Sequence, residues 1–159
     1  MGEILQDKVA IVTGASRGIG RAIAEVFARE GATVVICGRK QETLDEVARE
    51  IKGNVKPYAC HVGRSDQIER LIGATTQEFG LIDVLVNNAG TNVAMGPCLE
   101  MDEGQFDKMI EINLKSTFRL VKLIAPGMCE RVSGSIINIA SVSGLRPQLH
   151  SMLYSMTKA

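Results

Sequence analysis

Short runs of β-branched and aliphatic residues alternate along the chain with longer stretches in which apolar residues recur every three or four positions. The first run, VAIVTG from Val9, predicts a buried strand. The stretch from Gly18 to Gly31 predicts a helix that turns Ile19, Ala22, Ile23, Val26 and Phe27 inward and stops at Gly31. TVVIC predicts strand two, and ETLDEVAREIKG a helix with Leu44, Val47, Ala48 and Ile51 inward and Gly53 as its stop. VKPYAC predicts strand three, an edge strand because Pro57 brings no N–H to a ladder. Ser65 or Asp66 is expected to cap a helix carrying Ile68, Leu71, Ile72 and Phe79. IDVLVNN predicts strand four. A long helix then spans Asp102 to Glu130, with a bend expected at Pro126. GSIINIAS predicts strand five, and the segment holding Tyr154 starts another helix. Alternation of this kind implies an α/β doubly wound parallel sheet, in one domain over residues 1–159. Right-handed crossovers and one reversal of direction give the order 3-2-1-4-5.

Composition narrows the partners more than the fold. Hydrophobic residues make up 45% of the chain, enough for a core, and 18 Lys plus Arg balance 18 Asp plus Glu. A neutral chain without basic runs has no electrostatic footprint for nucleic acid or an anionic membrane. No apolar stretch is long enough for a membrane span. The start, MGEILQDKVAIV, lacks the order of a signal peptide, and Gln6 stands where a myristoylation motif needs Ser or Thr. Cys37, Cys60, Cys98 and Cys129 form neither a CxxC nor a metal-ligand spacing. With two histidines and no HExxH, no metal site is expected. The cysteines fit reduced thiols in a cytoplasmic setting.

The first candidate chemistry lies between strand one and its helix. TGASRGIG places Gly14, Gly18 and Gly20 in a G-x-x-x-G-x-G spacing. Gly14 allows a sharp turn off the strand, and Gly18 and Gly20 allow a pyrophosphate to approach the helix N-terminus. The alternative is a plain strand–helix turn. Strand two ends in ICGRK, without the acidic residue that would meet a free ribose 2′-hydroxyl. Arg17 and Arg39, with Lys40 beside them, instead suit a 2′-phosphate, so NADP(H) is expected over NAD(H). Solvated surface arginines are the bland alternative.

Four motifs in this order resemble the short-chain dehydrogenase/reductase family: the loop Thr13 to Gly20, NNAG at Asn87 to Gly90, Asn113 in EINLKS, and Ser141 followed by Tyr154 and Lys158. The resemblance implies a Rossmann-like fold and hydride exchange between NADP(H) and a small carbonyl or alcohol substrate. It gives Tyr154 the proton transfer and Lys158 the support of its phenolate together with a bond to the nicotinamide ribose. Ser141 would polarise the substrate oxygen, with Ser143 as a nearby competitor or Ser141 itself a turn cap. Asn113 would hold a water linking the lysine to solvent, or else be a polar helix residue. A free tyrosine titrates near 10, so neutral-pH chemistry needs roughly 4 kcal/mol of added phenolate stabilisation.

The resemblance extends the cofactor contacts to Ser16 and Ile19 in the glycine loop, and to Ala89 and Gly90 on the adenosine side. Asn87 shapes the sheet as well. At CHVG, His61 stands where many relatives carry an acid against the adenine, with Val62 beside it. An adenine contact and a solvated strand-end histidine are both open. CHVG is also similar to a carbonyl and retinal reductase branch. His150, one turn before Tyr154, is a candidate to line the substrate pocket.

Family members continue past this lysine with strands, a substrate loop and helices that build homo-oligomers. The expectation is therefore the front portion of a longer NADP(H) oxidoreductase, cytoplasmic, or peroxisomal in a full-length relative. The other expectation is a truncated nucleotide-binding or interaction fragment without turnover, with strand five left as an exposed edge.

Overall fold

The computed structural model describes residues 4–93 and 95–159. Residues 1–3, on which the argument against a leader partly rests, lie outside the described residues. Five parallel strands form one sheet: β1 (Val9–Thr13), β2 (Thr33–Gly38), β3 (Asn54–Ala59), β4 (Val84–Asn87) and β5 (Ser135–Asn138). Their order is β3-β2-β1-β4-β5, as the sequence pattern predicts. Helices cover both faces, which is why the central strands are continuous apolar runs rather than alternating ones. Ala10, Val12, Val34 and Ile36 pack with Leu44 and Val47 on one face. Ile11, Val35 and Leu85 pack with Ile68, Leu71 and Leu120 on the other.

Helix α1 (Gly18–Arg29) sits differently from its apolar pattern. Its buried face is Gly20, Ala24 and Ala28, whereas Ile19 is 62% and Val26 41% exposed and Ala22 is exposed. Small residues let the helix lie close to the sheet; Ile23 and Phe27 pack at the margin of that contact. Helix α2 (Gln41–Glu50) buries Leu44 and Val47 as expected. Its first residue also blunts the edge of the sheet. Ala59 N–H donates to Gln41 Oε1 at 2.8 Å, and Gln41 Nε2 donates to the carbonyl of Pro57 at 3.3 Å. A side-chain amide thus occupies part of the open ladder of β3.

Helix α3 (Ser65–Phe79) is entered through Arg64, which supplies no side-chain cap. The expected cap at Ser65 or Asp66 is corrected, because both already lie inside the helix. The long helix between β4 and β5 also departs from expectation. It comprises α4 (Glu103–Ile110), a π-helical turn at Glu111–Lys115 and α5 (Ser116–Glu130). Helix α4 begins with a capping box between Asp102 and Gln105. The interruption falls at the π turn, and α5 runs through Pro126. An extra residue in the turn brings Asn113 to the buried side, a placement that such turns often serve. The last helix, α6 (Met152–Lys158), follows a 3₁₀ turn at Val142–Gly144. Among the described residues, no helix is long and apolar enough to cross a membrane.

Candidate active site

The glycine loop leaves β1 at its C-terminal end. Gly14 has φ +65°, and a Cβ there would stand 2.9 Å from Ala89 Cα. Gly18 has φ +59°, with no atom within 4 Å of where a Cβ would lie, so its surface is open to a ligand. Gly20 has a different role. A Cβ there would come within 2.7 Å of the Gly14 carbonyl oxygen and closer still to Asn88 Nδ2. Internal packing therefore demands glycine at 20, a reason for glycine that the sequence pattern does not show. Arg17 precedes α1 in extended conformation, no side chain caps the helix, and no acid lies in its first turn. The unpaired N–H groups and the positive dipole end are left for an anion.

Thr13 and Asn88 clamp this loop to the end of β4. Thr13 Oγ1 donates to the Val86 carbonyl at 3.2 Å and accepts from the backbone N–H of Asn88 at 2.9 Å and of Ala89 at 3.0 Å. Asn88 Nδ2 donates back to the carbonyls of Thr13 at 2.8 Å and Gly14 at 3.1 Å. Both residues lie in the loop and NNAG motifs, but this clamping role has no signature in the sequence, because it joins segments far apart in the chain. Thr13→Val keeps the shape, strips the Ala89 N–H of its acceptor and leaves the Asn88 N–H only its second one, the Val86 carbonyl at 3.1 Å. It is expected to lower unfolding free energy by about 2 kcal/mol, measured by urea denaturation.

Exposed cations stand after β1 and β2, where the sequence places the nucleotide's 2′-phosphate. Arg17, Arg39 and Lys40 are exposed, and none of them joins an ion pair among the described residues. Arg39 also borders a shallow hollow of about 530 Å³ with Tyr58, Gln67 and Arg70. That hollow lies on the β3 side and includes none of Ser141, Tyr154 and Lys158. His61 is half-buried at the end of β3. Its Nδ1 accepts the Gly63 N–H at 3.1 Å, and its backbone N–H donates to Gln67 Oε1 at 2.7 Å. With Nδ1 used as acceptor, a neutral ring carries its proton on Nε2 and presents a donor. Val62 beside it is buried. Beneath this end, a hydrogen bond with Cys60 and burial hold the Cys37 thiol well above its usual range.

The candidate catalytic residues gather at the C-terminal edges of β4 and β5. Asn87 pairs with Asn138 across these strands, its Nδ2 donating to Asn138 Oδ1 at 2.9 Å. Ser141 follows β5 in extended conformation. Its Oγ accepts the Ser143 N–H at 3.1 Å, so the hydroxyl proton is free to be donated elsewhere. Ser143, the competing hydroxyl, is buried within the 3₁₀ turn. Tyr154 and Lys158 share one face of α6, with the lysine Nζ 5.9 Å from the centre of the tyrosine ring. Lys158 Nζ donates to the carbonyl of Ile139 at 2.9 Å, and burial pushes its ammonium below the usual lysine range.

Asn113 is 7% exposed. A Cβ on Gly90 would lie 3.6 Å from both Asn113 Oδ1 and Lys158 Nζ, so these two side chains flank Gly90. His150 adopts φ +64° with an exposed side chain, and its carbonyl accepts the Gly96 N–H at 2.9 Å. Asn92 Nδ2 donates to Ser151 Oγ at 3.2 Å and ties the same two loops together. Gly144 was not anticipated. A Cβ there would fall 1.9 Å from the carbonyl oxygen of Lys158. The turn after Ser141 and the helix of Lys158 are in contact at that point.

The short chain dehydrogenase family model matches residues 8–159. The chain belongs to that family. Within it, the chain is 42% identical over 159 residues to an uncharacterized oxidoreductase of Staphylococcus saprophyticus, covering 98% of this chain and 68% of the relative. It is 40% identical over 157 residues to one from Staphylococcus aureus, at 98% and 68% coverage. A metagenomic short-chain oxidoreductase crystallised in complex with NADP superposes with a TM-score of 0.92 at 40% identity. That alignment covers 97% of this chain and 71% of the other. As a short-chain dehydrogenase, the chain has the oxidoreductase fold of the family, with the glycine loop after β1 and the Tyr154–Lys158 helix against the segments that follow β4 and β5.

Proposed function

We propose that this short-chain dehydrogenase exchanges hydride between NADP(H) and a small carbonyl or alcohol substrate at a site made of Ser141, Tyr154, Lys158 and Asn113. The observation that carries the reading is the meeting of Lys158 and Asn113 around Gly90, with Tyr154 on the helix of the lysine.

The chain's residues suit the cofactor. The uncapped start of α1 and the open surface at Gly18 take the pyrophosphate. Arg17 and Arg39, free of carboxylate partners among the described residues, take the 2′-phosphate with Lys40 beside them. His61 Nε2–H and the backbone at Val62 face the adenine end. Ala89 and Gly90 border the ribose path, and Lys158 meets the nicotinamide ribose. The relative solved with NADP shares 40% of its sequence with this chain, which supports this choice of nucleotide.

When bound, the nicotinamide gives hydride to the carbonyl carbon in reduction and takes it back in oxidation. Ser141 donates its hydroxyl proton in a hydrogen bond to the substrate oxygen and draws charge onto it. Tyr154 passes its phenolic proton to that oxygen in reduction and recovers it in oxidation. The Lys158 ammonium favours the phenolate, and the partly buried setting strengthens that attraction. Asn113 holds the lysine side of the site in register. His150 lies on the loop that borders the substrate.

Arg39→Asp tests the nucleotide assignment. Losing one charge-assisted contact of about 2 kcal/mol lowers the NADPH-over-NADH preference in kcat/KM about 30-fold. An unchanged preference would remove Arg39 from the 2′-phosphate site.

A further inference from the structure

We infer that Thr157 is a positioning residue of the reaction site, its hydroxyl locking the helix of Tyr154 and Lys158 onto the buried amide of Asn113. The inference rests on the assignment of Tyr154 and Lys158 given above.

Both amide hydrogens of Asn113 are committed, and its Oδ1 accepts one bond. Thr91 N–H donates to Oδ1 at 2.8 Å, and Nδ2 donates to the Thr91 carbonyl at 2.9 Å and to Thr157 Oγ1 at 2.8 Å. The two Thr91 bonds fix which end of the amide is oxygen, since a backbone N–H needs an acceptor and a carbonyl needs a donor. Thr157 Oγ1 is therefore the acceptor toward Asn113. Its own proton goes to the Tyr154 carbonyl at 2.8 Å. Thr157 is 6% exposed, so water does not replace a lost partner cheaply.

Within Met152–Lys158, the orientation of α6 about its axis is set by the contacts it makes with neighbouring segments. Gly144 fixes how closely the C-terminal turn approaches the 3₁₀ segment, but that contact is steric. The bond from Asn113 is directional, and it arrives one residue before Lys158 and three after Tyr154. Rotation of α6 about its axis swings Tyr154 and Lys158 together, and the Thr157 hydroxyl opposes that rotation. Asn113 then acts through its side chain on α6 in addition to any role toward water.

Thr157→Val removes the hydroxyl and keeps the volume; Thr157→Ser keeps the hydroxyl. Both are compared in the full chain, with kcat expressed per NADPH-binding site by fluorescence titration. The expected result is a kcat per site about 10- to 30-fold lower in Thr157→Val, since small misplacements of catalytic groups carry such losses. The NADPH Kd and the substrate KM stay within about threefold, and Thr157→Ser returns kcat to within about twofold of wild type. A role in stability alone would lower the number of binding sites and leave kcat per site unchanged; that result overturns the inference, as does a serine variant as slow as the valine one. If the valine variant does not fold, Thr157→Cys, with its weak hydrogen-bonding group, is compared with serine by the same readout. Turnover retained in Tyr154→Phe would instead overturn the assignment of the Tyr–Lys pair, a separate failure.

Discussion

Tyr154→Phe is expected to lower kcat about 1,000-fold with a carbonyl substrate while NADPH affinity stays within a few-fold of wild type. The substitution removes one oxygen from a side chain that packs against the buried Met109–Leu153 cluster, and leaves that packing in place. Fold and nucleotide binding therefore survive. What disappears is the proton that must reach the substrate oxygen as the hydride reaches carbon. Ser141 does not replace it, because its hydroxyl serves as a hydrogen-bond donor and has no base behind it; its Oγ accepts from the Ser143 N–H. Stopped-flow NADPH oxidation, paired with a binding titration, reads both quantities. Turnover within tenfold of wild type would show that the proton comes from elsewhere.

Gly144→Ala carries the second large effect, at a residue that touches neither substrate nor cofactor in this account. A Cβ at 144 would be 1.9 Å from the Lys158 carbonyl oxygen, far inside any tolerated contact. That oxygen belongs to backbone and does not rotate away. Either the 3₁₀ turn behind Ser141 or the helix of Lys158 must move. A displacement near 1 Å costs on the order of 100-fold in rate when it separates groups that act on one substrate atom. The glycine loop lies on other elements, so NADPH binding is expected to stay close to normal. The combination is diagnostic: kcat falls about 100-fold while the Kd for NADPH changes little. A variant with normal kcat would mean that α6 has slack the structure does not show.

The parts of this molecule that were legible in the sequence depend on spacing along the chain. Buried strands such as VAIVT and VLVN declare themselves as apolar runs, and from these the order β3-β2-β1-β4-β5 follows by chirality rules. Ser141, Tyr154, Lys158 and Asn113 could be nominated because the family motifs keep them in order. The misreadings share one physical origin: hydrophobicity weighs large side chains, whereas close packing is decided by small ones. In α1 the sheet meets Gly20, Ala24 and Ala28, while Ile19 lies outside. Gly20 and Gly144 are glycines because other parts of the chain press against them, and neither contact leaves a trace in local sequence. The π turn at Glu111–Lys115 is similar. No residue type in EINLK demands it, and Pro126, the obvious helix breaker, lies inside α5. The bonding roles of Thr13 and Asn88, both inside motifs named above, and of Thr157 were not legible for the same reason, since each acts through a hydrogen bond to a distant segment.

The most direct test of the central claim follows the hydride itself. The protein is incubated with NADPH deuterated at C4, using each stereoisomer in turn, and a panel of small ketones and aldehydes, and the product alcohols are analysed by mass spectrometry. The account predicts an alcohol carrying one deuterium from one of the two stereoisomers, and none formed by Tyr154→Phe. Alcohol formed without deuterium from either stereoisomer, or deuterated alcohol formed equally well by Tyr154→Phe, would contradict it.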